Sequence, residues 1–183
     1  MPISIPRRPL RKAAIGLAVS TAVATLGMVA LSRLPAADVG DVFGRIDALY
    51  AELAGELAGV PAIDGAEAVA LGGNPDVILL DVREPEEIAV SRLPGAILPE
   101  DLARMGDLSG KRVLVYCTVG IRSGYETQAL RERGLDAVNL RGGILGWVAN
   151  GGAVVDDSGA EVKRVHVYGR KWNVLPEGYT PVW

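Results

Sequence analysis

Cysteine and histidine each occur once in 183 residues, as Cys117 and His166, and aromatic residues make up only 5% of the chain. A single cysteine excludes an internal disulfide. One cysteine with one histidine is also too few for a zinc site of the usual kind, so no metal and no cofactor are expected. Neither sign of charge dominates: the net charge is −3, and no stripe of Lys and Arg interleaved with aromatics is present. That balance argues against nucleic acid as a partner. There is no internal repeat and no low-complexity tract. What the chain does have is small and aliphatic residues, with 49% hydrophobic content and 23 glycines. Such a composition suits an α/β domain with close helix–sheet packing, and the length allows one real core plus appendages.

The first 37 residues read as a targeting segment. Arg7, Arg8, Arg11 and Lys12 make a basic start, and residues 13–31 carry no charge. A signal peptide's apolar region runs about 7–15 residues and a membrane span about 17–25, so this stretch lies at the overlap. The residues before Asp38 make a poor cleavage site. The expectation is therefore an uncleaved anchor over residues 13–31, basic end in the cytoplasm and the rest on the periplasmic side. A cleaved signal peptide and a soluble periplasmic protein are the alternative.

Residues 38–60 form a linking segment in which Val42, Ile46, Leu49, Leu53 and Leu57 recur at helical spacing over 41–58. Asp64 can cap a short helix, and Pro85 can open another. The runs VILLDVR (77–83), RVLVY (112–116) and AVNLRGG (137–143) have strand length and little alternation, as expected of strands buried on both faces. A helix is predicted from near Ser123 to Arg133, with Gly134 as its stop. Strand and helix alternate at short spacing, which argues a parallel sheet with helices on both faces.

Cys117 follows RVLVY directly, at the carboxyl end of a strand, where chemistry collects in such sheets. A lone cysteine is either a buried core residue or a reagent. Gly120 lets the backbone come close, so the N–H groups of Thr118, Val119, Gly120 and Ile121 can converge. The helix starting near Ser123 adds its positive end, and Arg122 its charge. In such surroundings a thiol drops from a pKa of about 8.5 to roughly 3.5–7.5, which makes it a nucleophile at neutral pH. The core alternative leaves the glycine and arginine unexplained. The thiolate is expected to be open to solvent.

The segment YCTVGIRS (116–123) resembles the active-site loop of the rhodanese family of sulfurtransferases. The resemblance extends to VILLDVREPEEI, RLPGAI and LRGGILGWVANG in the family's order, and covers roughly residues 63–155. It implies a rhodanese-like domain over 61–157, an α/β fold with a parallel sheet of about five strands wrapped by helices on both faces. It also implies a reaction: Cys117 takes a sulfane sulfur from a donor such as thiosulfate and passes it from a persulfide to a thiol or cyanide acceptor. A protein acceptor is possible. Substrate would be held by Thr118, Val119, Gly120, Ile121, Arg122 and Ser123, with Arg83 either assisting or tying down a loop.

Four residues separate Cys117 from Arg122. Related phosphatases and arsenate reductases of this fold have one more, giving a wider cradle for a tetrahedral oxyanion, so sulfur transfer is favoured over phosphate chemistry. A non-catalytic binding or redox-sensing module is the other reading. The chain departs from the family at Thr118, where many members are basic, and at Arg92, where a histidine is usual. Asp81 is expected to be structural, and Glu87 a solvated helix residue. The tail, 158–183, is expected to strap over the domain and bury its aromatics, with a partner or membrane surface (Trp172, Tyr179, Trp183) as the alternative. His166 is expected in a strand.

Overall fold

The computed structural model describes residues 42–183. The leader expected over 1–37, including the hydrophobic helix and its anchor role, lies outside those residues. Among the described residues no helix is long and apolar enough to cross a membrane.

Four parallel strands form the central sheet: β1 (Ala62–Ile63), β2 (Val77–Asp81), β3 (Arg112–Tyr116) and β4 (Ala137–Leu140), in the order β1-β4-β3-β2. Their aliphatic runs suit burial on both sides, and both sides are covered. Val113 and Val115 pack with Leu80, Leu102 and Leu130 on one face. Leu114 and Tyr116 pack with Ala68, Leu145 and Trp147 on the other. The period of two along β3 therefore feeds two separate clusters.

In place of about five strands, the described residues form four in this sheet, and the fifth position is a single bridge beyond β2. Ile97 N–H donates to Leu79 O at 2.9 Å, and Asp81 N–H donates to Ile97 O at 3.0 Å. Pro94 and Pro99 flank this segment, and a residue without an N–H cannot extend the ladder.

The helices are short, and local signals account for most of their starts. α1 (Val42–Leu53) runs into a 3-10 turn at Ala54–Leu57. Asp64 caps α2 (Gly65–Leu71) by accepting from Glu67 N at 2.9 Å. Prolines occupy the first position of α3 (Pro85–Ile88) and α4 (Pro99–Arg104), where the missing N–H costs nothing. α5 spans Ile121–Glu132 and α6 spans Gly143–Ala149. The start of α5 is two residues earlier than the sequence predicts, because Gly120 at φ 100° turns the chain in one step. Arg122 thus belongs to the first helical turn.

The tail is a strap whose apolar residues join the core. β5 (Val154–Val155) pairs antiparallel with β6 (Glu161–Val162), and β7 (Arg164–His166) pairs parallel with β8 (Thr180–Val182). Val165, Val167, Trp172 and Val174 are buried in the main cluster, while Tyr168 and Trp183 stay exposed. Ser91 Oγ donates to Arg164 O at 2.7 Å, which fastens the tail to the chain after α3.

A buried ion pair closes the carboxyl edge between β2 and β3. Arg83, expected to bind substrate or tie down a loop, ties the loop. Its Nε and Nη2 reach the Asp81 carboxylate at 2.9 and 2.7 Å, and Nη2 also donates to Ser91 O at 2.7 Å. Tyr116 Oη donates to the same carboxylate at 2.5 Å and accepts from Leu93 N at 3.2 Å. Burial opposes the charge on Arg83, but the contact with Asp81 more than offsets it and raises its pKa. With every polar atom matched, removing one partner strands the other. Asp81→Ala should cost about 3–5 kcal/mol in urea unfolding, whereas Arg92→Ala, which loses only a rim pair to Asp157 at 3.6 Å, should cost under about 1 kcal/mol.

Candidate active site

Three strand ends deliver the site. Asp81 lies opposite Tyr116 in the β2–β3 register, so the chain leaving β2 runs beside the chain leaving β3. That adjacency sets α3, with Glu87, against the loop 117–120. The chain leaving β4 closes the other side. Cys117 O and Thr118 O accept from Ile144 N and Leu145 N at 2.9 and 3.3 Å, in the first turn of α6. Gly143 permits this approach: a Cβ there would meet Cys117 O at 2.3 Å, and its φ of 53° disfavours a side chain as well.

The loop folds back onto the thiol. Gly120 N–H donates to Cys117 Sγ at 3.2 Å. Ser123 Oγ lies 3.5 Å from Sγ, but its one proton also faces Asn139 Oδ1 at 2.7 Å. The shorter contact takes the proton, so the positive charge of Arg122 and the backbone N–H groups of Ser123 and Gly120 are the main stabilisers of a thiolate. Burial pushes the Cys117 thiol up; Arg122, Ser123 and Gly120 more than reverse it, and the net pKa is lowered. The expectation that the thiol is open to solvent does not hold. Cys117 is 1% exposed, because the loop wraps around it instead of presenting it.

Arg122 is held by a carboxylate that local reading misplaced. Glu87, expected to be solvated, is 1% exposed. Its oxygens accept from Arg122 Nη1 at 2.7 Å, Arg122 Nη2 at 2.9 Å, Thr118 Oγ1 at 2.5 Å and Glu84 N at 3.0 Å. That fills the four lone-pair directions of a carboxylate. Burial raises the Glu87 pKa, and the hydrogen bonds and charge of Arg122 overcome it, leaving the group below its ordinary value. The forked geometry is the strong form of such a pair. Arg122 Nη2 also reaches Thr118 Oγ1 at 3.0 Å, and its side chain is 20% exposed.

The residues expected to bind substrate therefore separate. Gly120, Arg122 and Ser123 surround the sulfur. Thr118 is committed to Glu87, and the side chains of Val119 and Ile121 point into the main cluster, leaving only their backbone for a ligand. Arg83 is held elsewhere by Asp81. Arg92 pairs with Asp157. Two site residues escaped sequence reasoning. Asn139 on β4 is buried and donates from Nδ2 to Gly120 O at 2.9 Å and to Tyr50 Oη at 3.2 Å. Tyr50 on α1 packs beside Gly120: a Cβ there would lie 3.2 Å from Tyr50 Cε2 and 2.9 Å from Leu140 O. Asn139 is one polar residue in the apolar run AVNL, and that is the only sequence signal it carries.

The rhodanese-like domain family matches residues 65–150. A sulfurtransferase from Allochromatium vinosum is 39% identical over 94 residues, spanning 49% of this chain and 88% of that protein. The chain belongs to the rhodanese-like family. A tRNA uridine(34) hydroxylase from Acaryochloris marina is 36% identical over 111 residues, and there the match spans 49% of this chain but only 36% of the relative. Among solved structures, a thiosulfate sulfurtransferase from Pseudomonas aeruginosa aligns at 26% identity with a TM-score of 0.47, over 57% of this chain and 21% of that one. Family membership supports sulfur transfer in general, in a family that also includes domains of tRNA uridine hydroxylases.

Two measurements probe the rhodanese-like site. The rate of Cys117 alkylation should rise with pH through a midpoint below the roughly 8.5 of a free thiol, and Arg122→Met should move that midpoint upward. For stability, the folded pKa of Glu87 lies below its unfolded value. The carboxylate's contribution is then full above the unfolded value, about 4.3, and is lost as pH falls through the lower folded one. Glu87→Gln should flatten the fall in stability across that acid window and cost about 2–3 kcal/mol at pH 7, read by denaturant unfolding.

Proposed function

We propose that this protein is a sulfurtransferase that carries sulfane sulfur on Cys117. The observation supporting the reading most directly is the Gly120 N–H at 3.2 Å from Sγ, with a fixed guanidinium beside it. This arrangement stabilises one negatively charged sulfur. The Cys117 thiolate attacks the sulfane sulfur of a donor, a new S–S bond forms, and the donor's S–S bond breaks with its electron pair leaving on the donor. A thiol or cyanide acceptor then attacks the outer sulfur, and the Cys117 thiolate departs. The persulfide's terminal sulfur is again an anion, so the same N–H and guanidinium serve both stages. Because the thiol is buried, each stage requires local opening at the rim, an ordinary low-energy event for a loop.

Four intervening residues between Cys117 and Arg122 favour sulfur over a tetrahedral phosphate or arsenate. Redox sensing is the second reading, favoured by the lowered thiol pKa and opposed by the burial of the thiol. Mass spectrometry of intact protein after thiosulfate or hydrodisulfide treatment distinguishes the two. A gain of one sulfur atom, lost on adding cyanide and absent in Cys117→Ser, is expected. Oxygen adducts or mixed disulfides alone would favour sensing, and aryl phosphate turnover without a sulfur adduct would favour phosphate chemistry.

A further inference from the structure

Tyr168 lies outside the family match and is the one described non-glycine residue with positive φ, at 67°. A bulky residue in that region is strained, and such strain persists only where the surroundings hold it. Several contacts hold it here. Tyr168 N–H donates to His166 Nδ1 at 3.2 Å, and Val167 N–H donates to Val182 O at 2.8 Å, which keeps the preceding residue in the β7–β8 pairing. The ring meets Trp172 edge-on, with centroids 6.1 Å apart, and Trp172 is buried in the core. These contacts hold Tyr168, a residue 42% exposed, with its ring across the Arg122 guanidinium, whose Cζ is 5.7 Å from the ring centroid.

Arg122 hydrogen-bonds Thr118 of the loop, and its surfaces are mostly occupied. Glu87 and Thr118 take both terminal nitrogens, and Tyr168 takes one face. The charges matter as well. The Cys117 thiolate, the Glu87 carboxylate and the Glu84 carboxylate at 4.0 Å already place three negative charges around one positive charge, and Thr118 supplies none. A dianion entering this site meets a net negative cluster and a guanidinium it can scarcely address. A donor with a single charge meets less repulsion and does not need that face.

We propose that Tyr168 is a specificity-determining residue, whose ring closes the Arg122 guanidinium to incoming oxyanions and so favours sulfur donors of one charge over dianionic thiosulfate. The donor part of this proposal rests on the sulfur-transfer reading. In both cases the step balances without an external oxidant or reductant. Hydrodisulfide gives Cys117–S⁻ + HSS⁻ → Cys117–S–S⁻ + HS⁻. Thiosulfate gives the same persulfide and releases SO₃²⁻.

The test uses the full chain with Tyr168→Gly, which relieves the positive φ while removing the ring, and Tyr168→Phe, which keeps the ring. Iodoacetate and iodoacetamide are nearly equal in size and differ in charge, so the ratio of their rates at Cys117 reports how well an anion is received. Tyr168→Gly should raise the iodoacetate-to-iodoacetamide ratio about three- to tenfold, the range a partly desolvated cation–π contact commands. It should raise kcat/KM for thiosulfate relative to hydrodisulfide in parallel, with Tyr168→Phe matching the parent protein. A purely structural role would change the melting temperature and leave both ratios in place. An unchanged alkylation ratio in Tyr168→Gly, or Tyr168→Phe behaving like Tyr168→Gly, would overturn the proposal. If neither donor loads sulfur, the sulfur-transfer reading and the donor preference fail together, while the alkylation ratio still decides whether Tyr168 controls anion entry.

Discussion

The site depends on the pairing of Glu87 with Arg122. A carboxylate this deeply buried is tolerable only when its charge is matched and its lone pairs are filled. Four donors do that, drawn from the residue that caps α3, from α5 and from the loop between β3 and α5. The consequence for Cys117 follows directly. A guanidinium clamped by a fork of two hydrogen bonds cannot swing away, so the thiolate has a fixed positive neighbour and not a mobile one. Fixed charge near the sulfur needs no reorganisation when charge develops there. The same pairing also limits the site, because most of the arginine's donors are already in use.

Burial of the thiol changes how this chemistry must proceed. A nucleophile under a closed loop is protected from adventitious oxidation, but its partners must enter at the rim. Much of that rim comes from outside the matched family domain: Tyr50 from α1 on one side, and Tyr168 from the tail on the other. The flanking segments therefore do more than extend the core. They place aromatic surface against Gly120 and Arg122, the residues that act on the Cys117 sulfur.

Much of the frame could be read locally. RVLVY at 112–116 became β3 at its predicted bounds, Asp64 caps its helix, and Pro85 opens α3, because each depends on residues adjacent in sequence. The departures from local reading have separate causes. Glu87 follows Glu86 in a run of charge, so local pattern marks it as solvated; the β2–β3 register puts it against Thr118, 31 residues on. For Arg83 the sequence leaves two roles open, and capture by Asp81 two residues back selects the loop-tying one. The fifth strand shrank to one bridge because its flanking prolines outweighed its apolar centre.

The sequence by itself determined the parallel sheet with two covered faces, the position of Cys117 at a strand's carboxyl end, and the spacing to Arg122, since all three follow from periodicity and order along the chain. Only the tertiary structure decided the sulfur's surroundings: that Arg122 is clamped by Glu87, that Asn139 holds the loop, that Arg83 is structural, that the thiol is covered, and that Tyr168 lies over the cation. Arg83 is captured by near neighbours in the chain, Asp81 and Ser91, and the other facts come from contacts between segments far apart in sequence. Such contacts form because buried charges and polar atoms must find partners wherever the strand order brings them, and nothing in the local pattern names the partner.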